Sequence, residues 1–167
     1  LEGTAVTSLR IKGVDHEFTT LPGVYEDTPI ILMAFKKLQI KLNGDGPKTL
    51  TIHVEKKGDV TAADITPDSD IEIKNPDLVL CTLTEKREFK AEFTIARGRG
   101  FVTAEEHTPD PAVGTIPVDA IYSPVTRVRY KTENTRVGKL TNYDRLVLEI
   151  WTDGTVSPES SLVEAAK

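Results

Sequence analysis

The sequence has little of what most catalytic or secreted domains are built on. It has one cysteine among 167 residues, Cys81. That rules out an intramolecular disulfide framework and fits a reducing compartment. There is no apolar run of about 18 residues of the kind that spans a membrane, and no basic start with an apolar core that would read as a signal peptide. Histidine is sparse: His16, His53 and His107 stand far apart, none at ligand-like spacing from another or from Cys81. Phosphate-binding loops of the Walker type and G-x-S-x-G nucleophile elbows are missing. Basic charge is in deficit, with 21 Lys and Arg against 26 Asp and Glu and a net charge of -5. Phosphate neutralisation supplies most non-specific nucleic-acid affinity, so this balance argues against the chain gripping DNA by itself.

What is present is alternation, and alternation with a period of two means strands. Leu9 and Ile11 face one way. Leu38, Ile40 and Leu42 repeat the pattern, as do Leu50, Ile52 and Val54; Phe89, Ala91, Phe93 and Ile95; Val128 and Tyr130; and Leu146, Leu148 and Ile150. Each suits a sheet with one buried and one wet face. Short strands separated by Gly, Pro and Asp indicate antiparallel connections. Helices are few. Asp27-Thr28-Pro29 is a start signal, and Ile31, Ala34, Phe35 and Leu38 at helical spacing predict a helix from Thr28 to Leu38. Ser157-Pro158-Glu159 opens a second helix through Leu162, Val163, Ala165 and Ala166. Asn43 to Pro47 reads as a turn between strands, Asp153-Gly154 as a hairpin turn, and Glu105 to Thr115, with Pro109, Pro111 and Gly114, as an exposed loop.

Candidate chemistry is thin. Asp64, Asp68 and Asp70 lack the glycine and terminal glutamate of a calcium loop, so turn and capping roles are expected. Cys81 lies in an apolar run and reads as a buried structural thiol. Arg97-Gly98-Arg99-Gly100 is either an anion- or carboxylate-binding corner or a kinked strand end whose arginines pair with nearby acids. Arg127, Arg129 and Lys131 share one face of a strand, with Arg136 just beyond; that face is either solvated or meets a polar or acidic partner. His16-Glu17-Phe18 and Leu21-Pro22-Gly23-Val24 put apolar side chains in a Pro/Gly loop, which is either a contact surface or a flap over the core.

Several segments together resemble one family. Val14 to Asp27 (VDHEFTTLPGVYED), Val60 to Ile65 (VTAADI), Arg97 to Val102 (RGRGFV), Pro117 to Val125 (PVDAIYSPV), Glu133 to Gly138 (ENTRVG) and Leu146 to Gly154 (LVLEIWTDG) are similar, in order, to stretches of bacterial RNA polymerase alpha subunits. The resemblance implies an α+β fold: a mainly antiparallel β insert domain over residues 3–125, plus part of an α+β dimerisation domain over 126–167. It also implies that the family's opening strands, first long helix, most of its closing helix and its carboxy-terminal DNA-binding domain fall outside this chain. The β-rich piece would then sit on half a dimerisation core, with the apolar face of the Val128 and Leu146 strands uncovered and native dimerisation impaired.

The function implied is scaffolding within a nucleotidyltransferase, in a bacterial cytoplasm and nucleoid, without an active site or cofactor on this chain. Two alpha subunits would pair, then dock the beta and beta-prime subunits. The matching contact positions are His16, Glu17, Phe18, Leu21, Pro22, Gly23, Val24, Glu26 and Asp27; Lys36; Val118 and Asp119; and Arg127, Arg129 and Arg136. The Glu105–Thr115 loop matches a variable loop that in some bacteria meets transcription activators. One departure is visible: the family's helix commonly opens with polar or acidic residues, whereas this one opens Pro29-Ile30-Ile31. The competing reading is a free-standing β-rich module that binds an acidic protein through Arg127, Arg129 and Arg136.

Overall fold

A computed structural model describes residues 1–107 and 114–167. In chain order the elements are β1 (Glu2–Ile11), α1 (Thr28–Lys36), β2 (Ile40–Leu42), β3 (Lys48–Thr61), β4 (Ile71–Ile73), β5 (Val79–Arg99), β6 (Phe101–Val102), β7 (Ile116–Pro117), β8 (Ala120–Ile121), β9 (Val125–Val137), β10 (Leu140–Thr152) and α2 (Pro158–Ala165). They fall into two compact units, Glu2–Ser123 and Pro124–Lys167. All pairings recorded between the strands are antiparallel, giving the α+β, mainly antiparallel class that the alternation predicts.

The first unit is organised around β5. Its main sheet has the order β3-β5-β1-β7. Leu50 on β3 and Leu9 on β1 both stand opposite Phe93 on β5, and Ile52 and Ile11 both stand opposite Ala91. The alternating residues therefore form continuous apolar rows across three strands, all buried. On that face α1 inserts Ile31 and Phe35, with the Phe35 ring meeting Phe93 edge-on at 5.3 Å between centroids. Each such fully buried side chain stabilises by about 1.5–3 kcal/mol relative to exposure. The opposite face is polar, with Arg10 and Glu92 paired at 2.8 Å across the strands. In β1 the register shifts between Val6 and Ser8. This bulge lets Val6 and Leu9, three apart, both reach the core.

Several local expectations are corrected. Helix α1 ends at Lys36, not Leu38. The Asn75 amide donates to Lys37 O at 3.0 Å and its oxygen accepts from Gln39 N at 2.9 Å, which draws the chain out of the helix and into β2. Asp27 occupies the cap position, but its side chain makes no capping bond. Part of the expected Glu105–Thr115 loop is a 3₁₀ turn, Ala104–Glu106, closed by a Thr103/Glu106 capping box. Residues 108–113 of that loop lie outside the described residues.

The second unit is a long β9–β10 hairpin followed by α2. The hairpin turn is Gly138-Lys139, not Asp153-Gly154. Val137 pairs with Leu140, and Gly138 sits at φ 61 while no non-glycine residue among the described residues has positive φ. That is what a turn of type II′ requires at its first position. Asp153-Gly154 instead forms an Asx turn, Asp153 Oδ1 accepting from Thr155 N at 2.9 Å, on the way into α2. Ser157 caps α2 by accepting from Ser160 N at 3.1 Å. Alternation alone predicts a buried face on these strands, whereas the family resemblance predicts an uncovered one; among the described residues that face is exposed. Val128 and Leu146 are 54% and 59% exposed, and Tyr130 is exposed with them. The same holds for Leu162 and Val163 on α2, whose buried side chain is Ser161. An isolated hairpin cannot bury both faces of two strands, so alternation here marks a face without describing its burial.

Candidate interaction surfaces

The segment from Leu21 to Asp27 runs beside β5 as an irregular extra strand. Arg87 donates to Pro22 O. Thr84 N donates to Gly23 O, and Tyr25 N donates to Thr82 O, both at 2.9 Å; Val24 bridges Leu83. Gly23 lies at φ 79, and a Cβ there would come within 2.9 Å of the Glu85 and Arg87 side chains. The backbone thus needs glycine on two counts. Glu26 closes the attachment: its carboxylate accepts from Thr82 N at 2.6 Å and from Thr82 Oγ1 at 2.9 Å. Thr28, at the start of α1, donates through Oγ1 to Thr19 O.

This scaffold sorts the sequence candidates. Leu21 is buried in the core and Val24 packs half-buried against it. Glu26 is half-buried and engaged by Thr82. His16, Glu17, Pro22 and Asp27 are exposed. Phe18 is 76% exposed, with its amide donating to His16 Nδ1 at 3.1 Å. Tyr25, which the contact set passes over, is 78% exposed. Residue types do not single it out, since Val24-Tyr25-Glu26-Asp27 runs apolar, aromatic, acidic, acidic; the strand-like attachment to β5 turns Tyr25 and Asp27 outward and Val24 and Glu26 inward.

Lys36 and Asp119 are brought together at 3.9 Å. Asp119 also accepts from Ala104 N at 2.7 Å, and Val118 is buried, its amide donating to Thr7 O. In the second unit, Arg127 stacks over Trp151 at 4.8 Å and Arg129 meets Glu149 at 3.6 Å. Strand parity places Arg136 on the other face of β9, with Val128 and Tyr130. There Arg136 Nε donates to Gly138 O at 2.6 Å, bracing the hairpin turn. The three arginines therefore do not form one surface.

The acidic and thiol candidates have structural partners. Burial pushes the Asp64 carboxyl up, but Lys56 at 2.8 Å and Thr61 N at 2.9 Å outweigh it and hold Asp64 below its usual range. Lys48 bridges Asp68 and Asp70 at 2.6 and 2.9 Å, which lowers Asp68 and raises Lys48. Cys81 is fully buried, and burial pushes its thiol up to about 12. No group of three potential metal ligands occurs among the described residues.

An antiparallel sheet with one helix on its core face, and an irregular segment tied down along its central strand, defines an α+β domain. The family model described as the RNA polymerase Rpb3/RpoA insert domain matches residues 9–123, and the chain belongs to that family. Over its whole length the chain is 51% identical to DNA-directed RNA polymerase subunit alpha of Symbiobacterium thermophilum and 51% identical to that of Rhodopirellula baltica. It is 49% identical to the subunit of the same name from Bacillus velezensis. The chain spans about half the length of these curated relatives, covering 53%, 51% and 54% of them.

Proposed function

We propose that this chain is a non-catalytic assembly platform of a bacterial DNA-dependent RNA polymerase, and that it serves transcription by holding the large subunits in place. The observation that carries this reading is the Leu21–Asp27 attachment. Its backbone is tied to β5 at Pro22, Gly23 and Tyr25, while Phe18 and Tyr25 project more than three-quarters exposed. Exposing two aromatic rings in water is unfavourable for an isolated domain, and rigid aromatic anchors are what protein interfaces use. In this reading residues 3–125 are the insert domain and 126–167 the returning half of a dimerisation domain. The uncovered Val128 and Leu146 face then belongs against chain segments of the alpha dimer.

On the first unit the docking surface for the beta and beta-prime subunits comprises His16, Glu17, Phe18, Pro22, Tyr25 and Asp27, together with Lys36 and Asp119; Arg127 and Arg129 are separate docking positions on the second unit. Leu21, Val24, Glu26 and Val118 act from behind by fixing that surface. The test is co-purification of the full gene product containing this chain with purified beta and beta-prime subunits. Tyr25→Ala and Phe18→Ala should each weaken assembly on the order of tenfold or more, with the fold intact. Wild-type protein that assembles with neither large subunit refutes the reading.

A further inference from the structure

Apart from the loop and α1, the largest exposed apolar pair among the described residues of the first unit is Phe101 and Ile121. They stand directly opposite each other across β6 and β8, at 55% and 61% exposure. The corner that presents them is built with little freedom. Gly98 lies against the Tyr122 ring, where a Cβ would come within 2.8–2.9 Å of three ring atoms. Gly100 turns the chain at φ 68, and Tyr122 N donates to Gly100 O at 2.9 Å. Tyr122 is itself buried.

Two residues before Phe101 is Arg99, exposed and with no side-chain partner among the described residues. The acid directly across from it, Glu2, pairs instead with Arg97 at 2.9 Å. Arg97 also donates to Gly44 O at 3.2 Å. The two arginines of the Arg97-Gly98-Arg99-Gly100 run thus have different fates: one fastens the end of the sheet, and the other is left available.

We propose that Arg99, Phe101 and Ile121 form a second docking surface, whose occupant is a segment of a large polymerase subunit that carries a carboxylate beside an apolar side chain. This rests on the assembly reading above. Charge complementarity selects the occupant: a free guanidinium binds a carboxylate through two parallel N–H···O bonds, and the paired Phe101 and Ile121 side chains take the adjoining apolar group. The rigid corner lowers the ordering cost of binding.

The experiment uses the full gene product and purified beta and beta-prime subunits as the probe, titrated at two salt concentrations. Arg99→Glu should weaken binding on the order of tenfold or more and flatten its salt dependence, and Phe101→Ser should weaken it comparably. Both positions are exposed, so circular dichroism and melting should stay at wild type. Wild-type affinity in both variants, with Tyr25→Ala still impaired, overturns this second surface and leaves the assembly reading standing. Failure of the wild type to bind overturns both. A photo-crosslinking residue at position 121 should capture a large-subunit peptide containing Asp or Glu next to an apolar residue; a captured peptide without an acid overturns the proposed chemistry.

Discussion

Removing the Glu26 carboxylate tests whether the Leu21–Asp27 segment is clamped to β5 through Thr82. In Glu26→Ala the Thr82 hydroxyl keeps a second acceptor, Asp59 Oδ1 at 3.3 Å, so little is lost there. The Thr82 amide, which donates to Glu26 at 2.6 Å, has no such substitute. A hydrogen bond to a charged group contributes about 1.5–3 kcal/mol, and a stranded amide costs about 1–3 kcal/mol. Because Glu26 is half-buried, water reaches part of the vacated space, so about 2 kcal/mol is expected. Glu26→Gln keeps a neutral acceptor and should cost about 1 kcal/mol, since charge roughly doubles such a bond. Urea unfolding followed by far-ultraviolet circular dichroism measures both. Amide exchange at Tyr25 and Thr84, whose protons bond between the loop and β5, should accelerate in the same order. A Glu26→Ala loss under about 0.5 kcal/mol, with unchanged exchange at Tyr25, would refute the clamp.

Gly98→Ala places a methyl within 2.9 Å of the Tyr122 ring and should cost about 1–3 kcal/mol in urea unfolding; Tyr122→Ala in the same background should recover part of the methyl's penalty. Cys81, with its thiol pushed up to about 12 by burial and then by the Glu26 charge, should resist a disulfide-exchange reagent at pH 8 and react only as the first unit unfolds; prompt labelling of the native chain would contradict its burial. Asp64 sits below its ordinary value of 3.8, so its contribution to stability is present above that pH and lost as the pH falls through the lower folded value. Lys56→Met should therefore destabilise at pH 7 and flatten the acid side of the stability profile, and an unchanged acid limb would count against the pair.

The alternating segments found as strands in the sequence are strands in the structure, because a side-chain period of two survives whatever the strand packs against. Leu9, Leu50 and Phe93 could be assigned to buried faces for that reason, and Thr28-Pro29 could be assigned to a helix start from local backbone chemistry. The end of α1 could not, since it depends on Asn75, far along the chain. Asp153-Gly154 is a strong turn signal in the sequence, yet Gly138-Lys139 closes the hairpin because the pairing of β9 with β10 leaves those two residues for the loop. Arg136 shows the same limit. Proximity in sequence groups it with Arg127 and Arg129, and strand parity separates them.

What the sequence determined alone was the class of fold and, through six ordered segments, the family: both are written in local periodicity and residue identity. Which members of those segments face outward was settled only by tertiary structure. Leu21, Val24, Glu26 and Val118 lie beside Phe18, Tyr25 and Asp119 in the sequence pattern, but the first four are taken up by the core or by β5 and the others are partly or fully exposed. Arg97 and Arg99 are chemically identical and two residues apart. A single acid, Glu2, stands across from Arg99 in the register of β1 on β5 yet bonds Arg97, a choice that residue identity alone does not carry.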